Sequence, residues 1–241
     1  MLKKVLPSLI SLLFFSAAHA QLNNAAGKYL NTGIQFKKDA KYSEALTNLN
    51  KAVSLNKNFD SAYVELGNVY MKTGNIDNSI INFKKALKIN PGYAEALIAM
   101  GVIYRDTKKN LDSALYYYSA ANKIDSTNKV TLYSIAWIYN AKHAYDLSIP
   151  YAVKALEIDN DYRPAYGELG HAYNASKKYA EAIEQFKKNL AVSVLDIVLL
   201  YSGYCYTELN DKEGALQQYE ALKKINEKMA GALKRKIDTM K

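Results

Sequence analysis

The stretches "YVELGNVY" at 63–70 and "YGELGHAY" at 166–173 are two versions of one octapeptide, Tyr-x-Glu-Leu-Gly-x-x-Tyr. Sliding that pattern along the chain finds four looser copies: "YLNTGIQF" at 29–36, "LIAMGVIY" at 97–104, "LYSIAWIY" at 132–139 and "LLYSGYCY" at 199–206. Successive starts are separated by 34, 34, 35, 34 and 33 residues. A fixed period of this length signals stacked two-helix units rather than one globular core.

The residue types within each copy fit that reading. The small residue is Gly33, Gly67, Gly101, Ala136, Gly170 or Gly203, and a missing side chain there lets a second helix approach. The closing aromatic is Phe36, Tyr70, Tyr104, Tyr139, Tyr173 or Tyr206, seven residues after the opening one and so on the same helical face. Nine residues later, or ten in the third copy, comes another small residue: Ala45, Ser79, Ala114, Ser148, Ala182 or Ala215. It is assigned to a second helix, with Leu49, Phe83, Tyr118, Ala152, Phe186 and Tyr219 one turn further on the same face. Gly74 reads as a helix stop, and Pro91 prevents continuation of the helix before it. The acidic turn Asp159-Asn160-Asp161 is expected to end one helix and cap the next.

This pattern resembles the tetratricopeptide repeat, a 34-residue helix–turn–helix unit. Residues 60–93 match it best, through Tyr63, Leu66, Gly67, Tyr70, Ser79, Phe83, Ala86 and Pro91. Departures fall at Asn189 and Leu222, which stand where a small residue is usual, and at Ala152, which replaces a large aromatic. The resemblance implies an all-α, right-handed α-solenoid. The repeats are expected at 26–59, 60–93, 94–128, 129–162, 163–195 and 196–229, after a linker at 21–25. "AGALKRKIDTMK" at 230–241 reads as a C-terminal capping helix over the exposed end of the stack.

The first twenty residues read differently. A basic head, "MLKK", precedes the apolar "VLPSLISLLFF", and "SAAHA" offers small residues at Ala18 and Ala20. This is the pattern of a secretory signal peptide cleaved after Ala20, and the apolar stretch is shorter than the ~20 residues a membrane span needs. Cleavage lowers the net charge from +9 to +7 by removing Lys3 and Lys4. The expected location is the periplasm or the extracellular space, with a bacterial envelope favoured. Nucleic acid is not expected as a partner, because the lysines are scattered near helix ends and read as a solvated face.

Enzyme motifs are not found. The chain has no HExxH, no cysteine pair, no phosphate-binding glycine loop and no calcium loop. Cys205, the only cysteine, sits beside the core aromatic Tyr206 and reads as a packed thiol. The expectation is a non-enzymatic protein with no catalytic, cofactor-binding or metal-binding residues. About two-thirds of the 21 tyrosines are expected to be structural.

What remains is a binding surface. In the family the first helix of each repeat lines a concave groove. Positions one step round from the core face give Leu30, Ile34 and Lys37; Val64, Asn68 and Met71; Tyr133, Trp137 and Asn140; Gly167, His171 and Asn174; and their equivalents elsewhere. The residues expected to bind a protein or peptide are Tyr133, Trp137, Asn140, His171, Asn174 and Tyr204, with Asn68 and Arg105 in the earlier repeats. Trp137 is the only tryptophan and can fill either groove or core. The Lys/Asn clamp by which some family members hold chaperone C-termini is not assembled, since Val64 and Ala99 occupy two of its places. The expected function is an exported scaffold or adaptor in a cell-envelope assembly. The alternative is a periplasmic chaperone for unfolded or exported clients.

Overall fold

The computed structural model describes residues 6–190 and 195–240, with residues 6–20 as backbone only. The basic head of the expected signal peptide, Met1 to Lys4, lies outside the described residues. Among those described there is only helix, turn and coil. Two compact units are formed, one through Ser113 and the other from Ala114.

The first unit contains α1 (Leu6–Lys38), α2 (Tyr42–Leu55), α3 (Asp60–Lys72), α4 (Ile76–Ile89) and α5 (Ala94–Val102), which continues as a π-helical turn (Ile103–Thr107). The unit boundary falls within the first turn of α6 (Leu111–Ile124). The second unit continues with α7 (Lys129–Ala141), α8 (Tyr145–Ile158), α9 (Arg163–Ala175), α10 (Tyr179–Leu190), α11 (Asp196–Glu208), α12 (Lys212–Lys223) and α13 (Glu227–Ile237). Within the units, α1 packs on α2, α3 on α4, α7 on α8, α9 on α10 and α11 on α12, each pair being one period of the sequence pattern.

The small residues do what the spacing requires. A Cβ added at Gly33 would lie 2.7 Å from the side chain of Leu49, one at Gly67 would lie 2.7 Å from Phe83, and one at Gly170 would lie 2.6 Å from Phe186. The second small position is fully buried throughout, at Ala45, Ser79, Ala114, Ser148, Ala182 and Ala215. Where it is serine, the hydroxyl donates across the pair to the carbonyl of the first small residue: Ser79 to Gly67 at 2.8 Å and Ser148 to Ala136 at 2.9 Å. These bonds let a polar side chain occupy a core site without an unmet donor. At Gly203 the neighbour is Leu233 of α13, 2.4 Å from the added Cβ, not Tyr219 of α12.

The turns within pairs repeat as closely as the cores. Each includes one residue with positive φ: Ala40, Gly74, Lys109, His143, Lys177 and Asn210. The amide that follows donates to the carbonyl of the closing aromatic, as in Lys41 to Phe36 and Asn75 to Tyr70, both at 2.8 Å. The extra residue in the third period is absorbed by the π turn, where Lys108 N–H reaches Ile103 O at 3.0 Å.

Three sequence expectations are corrected. Residues 21–25 are not a separate linker but part of α1, since "QLNNA" contains nothing that breaks a helix. The last helix begins at Glu227, three residues before the expected start, because Asn226 caps it by accepting from Met229 N–H at 3.1 Å. Asp159 does not cap α9. Its carboxylate accepts from Asp161 N–H at 3.0 Å in an Asx turn, and Asn56, Asn90 and Asp125 do the same one period apart. Many of the asparagines therefore serve turns and caps rather than weakening helix interiors.

Candidate functional site

In the second unit, α7 and α9 present Tyr133, Trp137 and Asn140, and Gly167 and His171, toward one pocket. Phe186 and Asn189 of α10 join from the adjoining layer, and Leu195, Ile197, Val198 and Tyr201 close the far side. Arg163, Pro164 and Glu168 of α9 complete the lining that concerns binding. The pocket volume is about 510 Å³, within the ~300–1,000 Å³ typical of ligand sites.

Its polar groups are unevenly satisfied. Asn140 Nδ2 donates to Glu168 Oε2 at 2.8 Å and to Glu168 O at 2.9 Å. Asn189 Nδ2 donates to Arg163 O at 2.9 Å. Both residues are nearly sealed off, Asn140 at 3% and Asn189 at 4% exposure. Their Oδ1 atoms are buried and accept nothing from the described residues. Burial pushes the Glu168 carboxyl above the ordinary glutamate range, and the Asn140 hydrogen bond offsets this only in part. Among the described residues Glu168 has no ion-pair partner.

The aromatic walls are supported from behind. His171 lies between Tyr145 and Tyr201, with ring centroids 5.9 and 5.5 Å away. Burial, and then the charge of His143, hold the His171 imidazole below its usual value. Tyr133 meets Tyr162 edge-on at 5.9 Å, and Lys129 lies over the Tyr162 ring at 5.3 Å.

The pocket lies at two coupled departures from the repeat. The register that carries Leu30, Val64, Ile98, Tyr133 and Leu200 has glycine at 167. The core register that carries Ala52, Ala86, Ala121 and Ala155 has Asn189. A Cβ at Gly167 would come within 3.1 Å of Asn189 Nδ2, so the missing side chain makes room for the amide.

Of the eight residues singled out from the sequence, the structure brings together Tyr133, Trp137, Asn140 and His171. Trp137 is half-buried and lines the pocket. Asn174 is engaged elsewhere, accepting from Cys205 Sγ at 3.2 Å. Tyr204 packs against the last core cluster, with Lys236 over its ring at 5.1 Å. In the first unit Asn68 donates to Glu95 at 2.8 Å, and Arg105 forms a two-pronged pair with Asp106 at 2.6 and 2.9 Å. Leu30 and Val64, expected on the groove face, are buried. Sequence reasoning missed Glu168, Asn189, Arg163 and Tyr201. Glu168 was visible as the glutamate shared by the two best octapeptides, and Asn189 as a departure from the repeat.

Chemistry at Cys205 is muted. Burial, and then Glu208, push its thiol up to about 12, which keeps it protonated at neutral pH. Among the described residues there is no cluster of three or more metal-ligating side chains, and no helix is long and apolar enough to cross a membrane.

Family models place these helices. A TPR repeat model matches residues 36–74 and 67–108, and tetratricopeptide repeat models match 164–191 and 198–226, together more than half of the chain. The chain is built of tetratricopeptide repeats. It is similar to small glutamine-rich tetratricopeptide repeat-containing protein 2 of Mycosarcoma maydis, with 30% identity over 91 residues, and to the Saccharomyces cerevisiae protein of that name, with 34% over 89. These matches cover 38% and 37% of this chain but only 26% and 24% of those proteins, so the chain spans about a quarter of the length of these relatives. Among solved structures, Pseudomonas aeruginosa PilF superposes with a TM-score of 0.73 at 14% identity, covering 89% of this chain and 99% of PilF. PilW, described as a type IV pilus biogenesis factor, gives 0.68 at 17% over 88% and 99%. YrrB, described as a TPR protein with an unusual peptide-binding site, gives 0.69 at 19% over 78% and 97%. At these identities the likeness concerns the fold.

Proposed function

We propose that this tetratricopeptide-repeat chain is a non-enzymatic scaffold or adaptor that holds a segment of another protein in the pocket of its second unit. The observation that carries this reading is the pocket itself. Its aromatic walls surround buried amide oxygens that accept no hydrogen bond from the described residues. An aromatic, water-excluding site with a few placed polar groups is the usual form of a binding hot spot. The peptide-binding description of YrrB supports the same use of the fold.

The six-period partition of residues 26–229 belongs to this proposal, with residues 227–237 closing the stack. Export belongs to it as well, supported by the basic head, apolar stretch and small residues of 1–20. The likeness to a pilus biogenesis factor is consistent with a place in a cell-envelope assembly.

The test is Trp137→Ala with a captured envelope partner. Affinity should fall by about 2 kcal/mol or more while the melting temperature stays near that of the native chain. A collapse of the melting temperature, with unchanged binding per folded molecule, would make Trp137 a core residue and put the site elsewhere. Intact mass of the exported protein checks the processing. A mature N-terminus at Gln21 is expected, and a retained Met1 in the membrane fraction refutes it.

A further inference from the structure

We infer that the group this pocket receives is a guanidinium: an arginine side chain presented by a peptide segment of the partner. The inference rests on the binding role proposed above and names its chemistry.

The two octapeptides provide the first argument. Glu65 and Glu168 occupy the same register, and each is met by the residue 28 positions earlier. For Glu65 that residue is Lys37, which forms an ion pair with it. For Glu168 it is Asn140, a neutral amide. The second unit thus retains the partly buried acid and lacks the built-in cation. Arg163 lines the same pocket but forms no ion pair with Glu168 among the described residues.

The second argument is the set of unfilled hydrogen-bonding positions. Asn140 commits both amide N–H groups to Glu168 and Asn189 commits one to Arg163 O, while the Oδ1 atoms of both remain as buried acceptors. With Glu168, three side chains offer oxygen, against a single remaining amide N–H on Asn189. A carboxylate ligand would meet three acceptors and only one amide donor at these residues. An arginine offers five N–H donors in a planar fork and accepts nothing. Lysine brings the charge as a point, without the fork.

The third argument is shape. Gly167 removes the side chain that this register carries elsewhere, and Asn189 puts an amide where the equivalent periods before it have alanine. Both changes fall at one place, where the Asn189 amide takes up the room that Gly167 leaves, in the pocket lined by Trp137, Tyr133 and Tyr201. A guanidinium stacks on such rings while its edge donates. The charge of Arg163 disfavours a second isolated cation, so a segment with an acidic residue beside its arginine fits best.

The test uses the full chain and the fluorescence of Trp137, its only tryptophan. The probes are three capped pentapeptides, Ala-Ala-X-Glu-Ala, with arginine, citrulline or leucine at X. Citrulline retains a planar N–H-bearing head without the charge. The arginine peptide should saturate the Trp137 signal and bind at least about tenfold more tightly than the citrulline peptide. Asn140→Lys, which restores the arrangement of the first unit, should abolish arginine binding. Glu168→Gln should erase the arginine–citrulline difference, and a single cooperative melting transition above the assay temperature in both variants shows that they fold. Equal binding of arginine and citrulline peptides overturns the charge argument. Tightest binding by the leucine peptide overturns the guanidinium assignment and leaves the proposed binding role standing. Absence of saturation by all three overturns the assignment, while the partner experiment with Trp137→Ala judges the binding role separately.

Discussion

The first unit and the second carry the same octapeptide and use its glutamate differently. In the first, Glu65 pairs with Lys37 in a site where both side chains are less than one-fifth exposed, and the neighbouring Val64 is buried. In the second, Glu168 has only an amide partner, and Gly167 stands in the register of Val64. One unit closes its own electrostatic and steric accounts, and the other leaves a pocket of about 510 Å³ lined by unfilled acceptors. A repeat fold permits this because each pair needs only its neighbours for stability, so one period can give up packing locally.

The largest test of the contrast is in the cores. Phe83→Ala should destabilise the chain by about 4 kcal/mol, as expected for a sealed aromatic. Phe186→Ala should cost about 1 kcal/mol less, because Phe186 already borders the pocket and its neighbours lose fewer contacts. Urea unfolding of both variants measures the difference, and equal costs would show that the pocket does not loosen the second core.

Next comes the acid pair. Lys37→Asn should cost about 1–2 kcal/mol by leaving a mostly buried carboxylate without its cation. Asn140→Lys should cost far less, because it gives Glu168 the partner it lacks. If both substitutions prove equally costly in thermal melts, the two registers are not equivalent in energy.

A smaller effect is the pH dependence. Burial raises the Glu168 carboxyl, so the native state binds its proton more readily than the unfolded chain. Stability from this group is therefore present at low pH and lost as pH rises through the raised value. Glu168→Gln should remove that loss, and its advantage over the native chain should grow with pH across this window. His171 acts with the opposite sign. Its lowered value means that stability falls as pH drops below the ordinary histidine range, in native chain and variant alike. Urea midpoints against pH for the two proteins separate these contributions, and parallel curves would show that Glu168 is not coupled to folding.

The smallest effects are in the turns. Gly74 in the first unit and Lys177 in the second hold the same left-handed conformation, with φ of 78° and 59°. Gly74→Ala should cost about 1 kcal/mol, and Lys177→Gly should gain about 0.5 kcal/mol, since only glycine adopts this region freely. Thermal melts decide it, and a loss for Lys177→Gly would mean that the lysine side chain repays the strain.

The helix pairs, their small-residue contacts and the face bearing Tyr133, Trp137, Asn140 and His171 were legible because they follow from period and register. Asn174 and Tyr204 share that register and yet are committed to Cys205 and to the last core cluster. Periodicity assigns a side chain to a face, whereas its partner is supplied by another helix. Arg163 shares the face of Gly167 and His171 but stands before the octapeptide, whereas Asn189 lies on the second helix and enters the pocket only because α9 and α10 fold back on each other.

The sequence by itself determined the helical repeat, the six small-residue registers and the recurrence of one glutamate in two octapeptides. These depend on spacing along a single helix, which 3.6 residues per turn fixes locally. Only the tertiary structure decided that Lys37 neutralises one glutamate while Asn140 leaves the other open, and that Gly167 makes room for Asn189. Those facts depend on residues about a period apart meeting across helices, where burial and the absence of water set the strength of every charge and hydrogen bond.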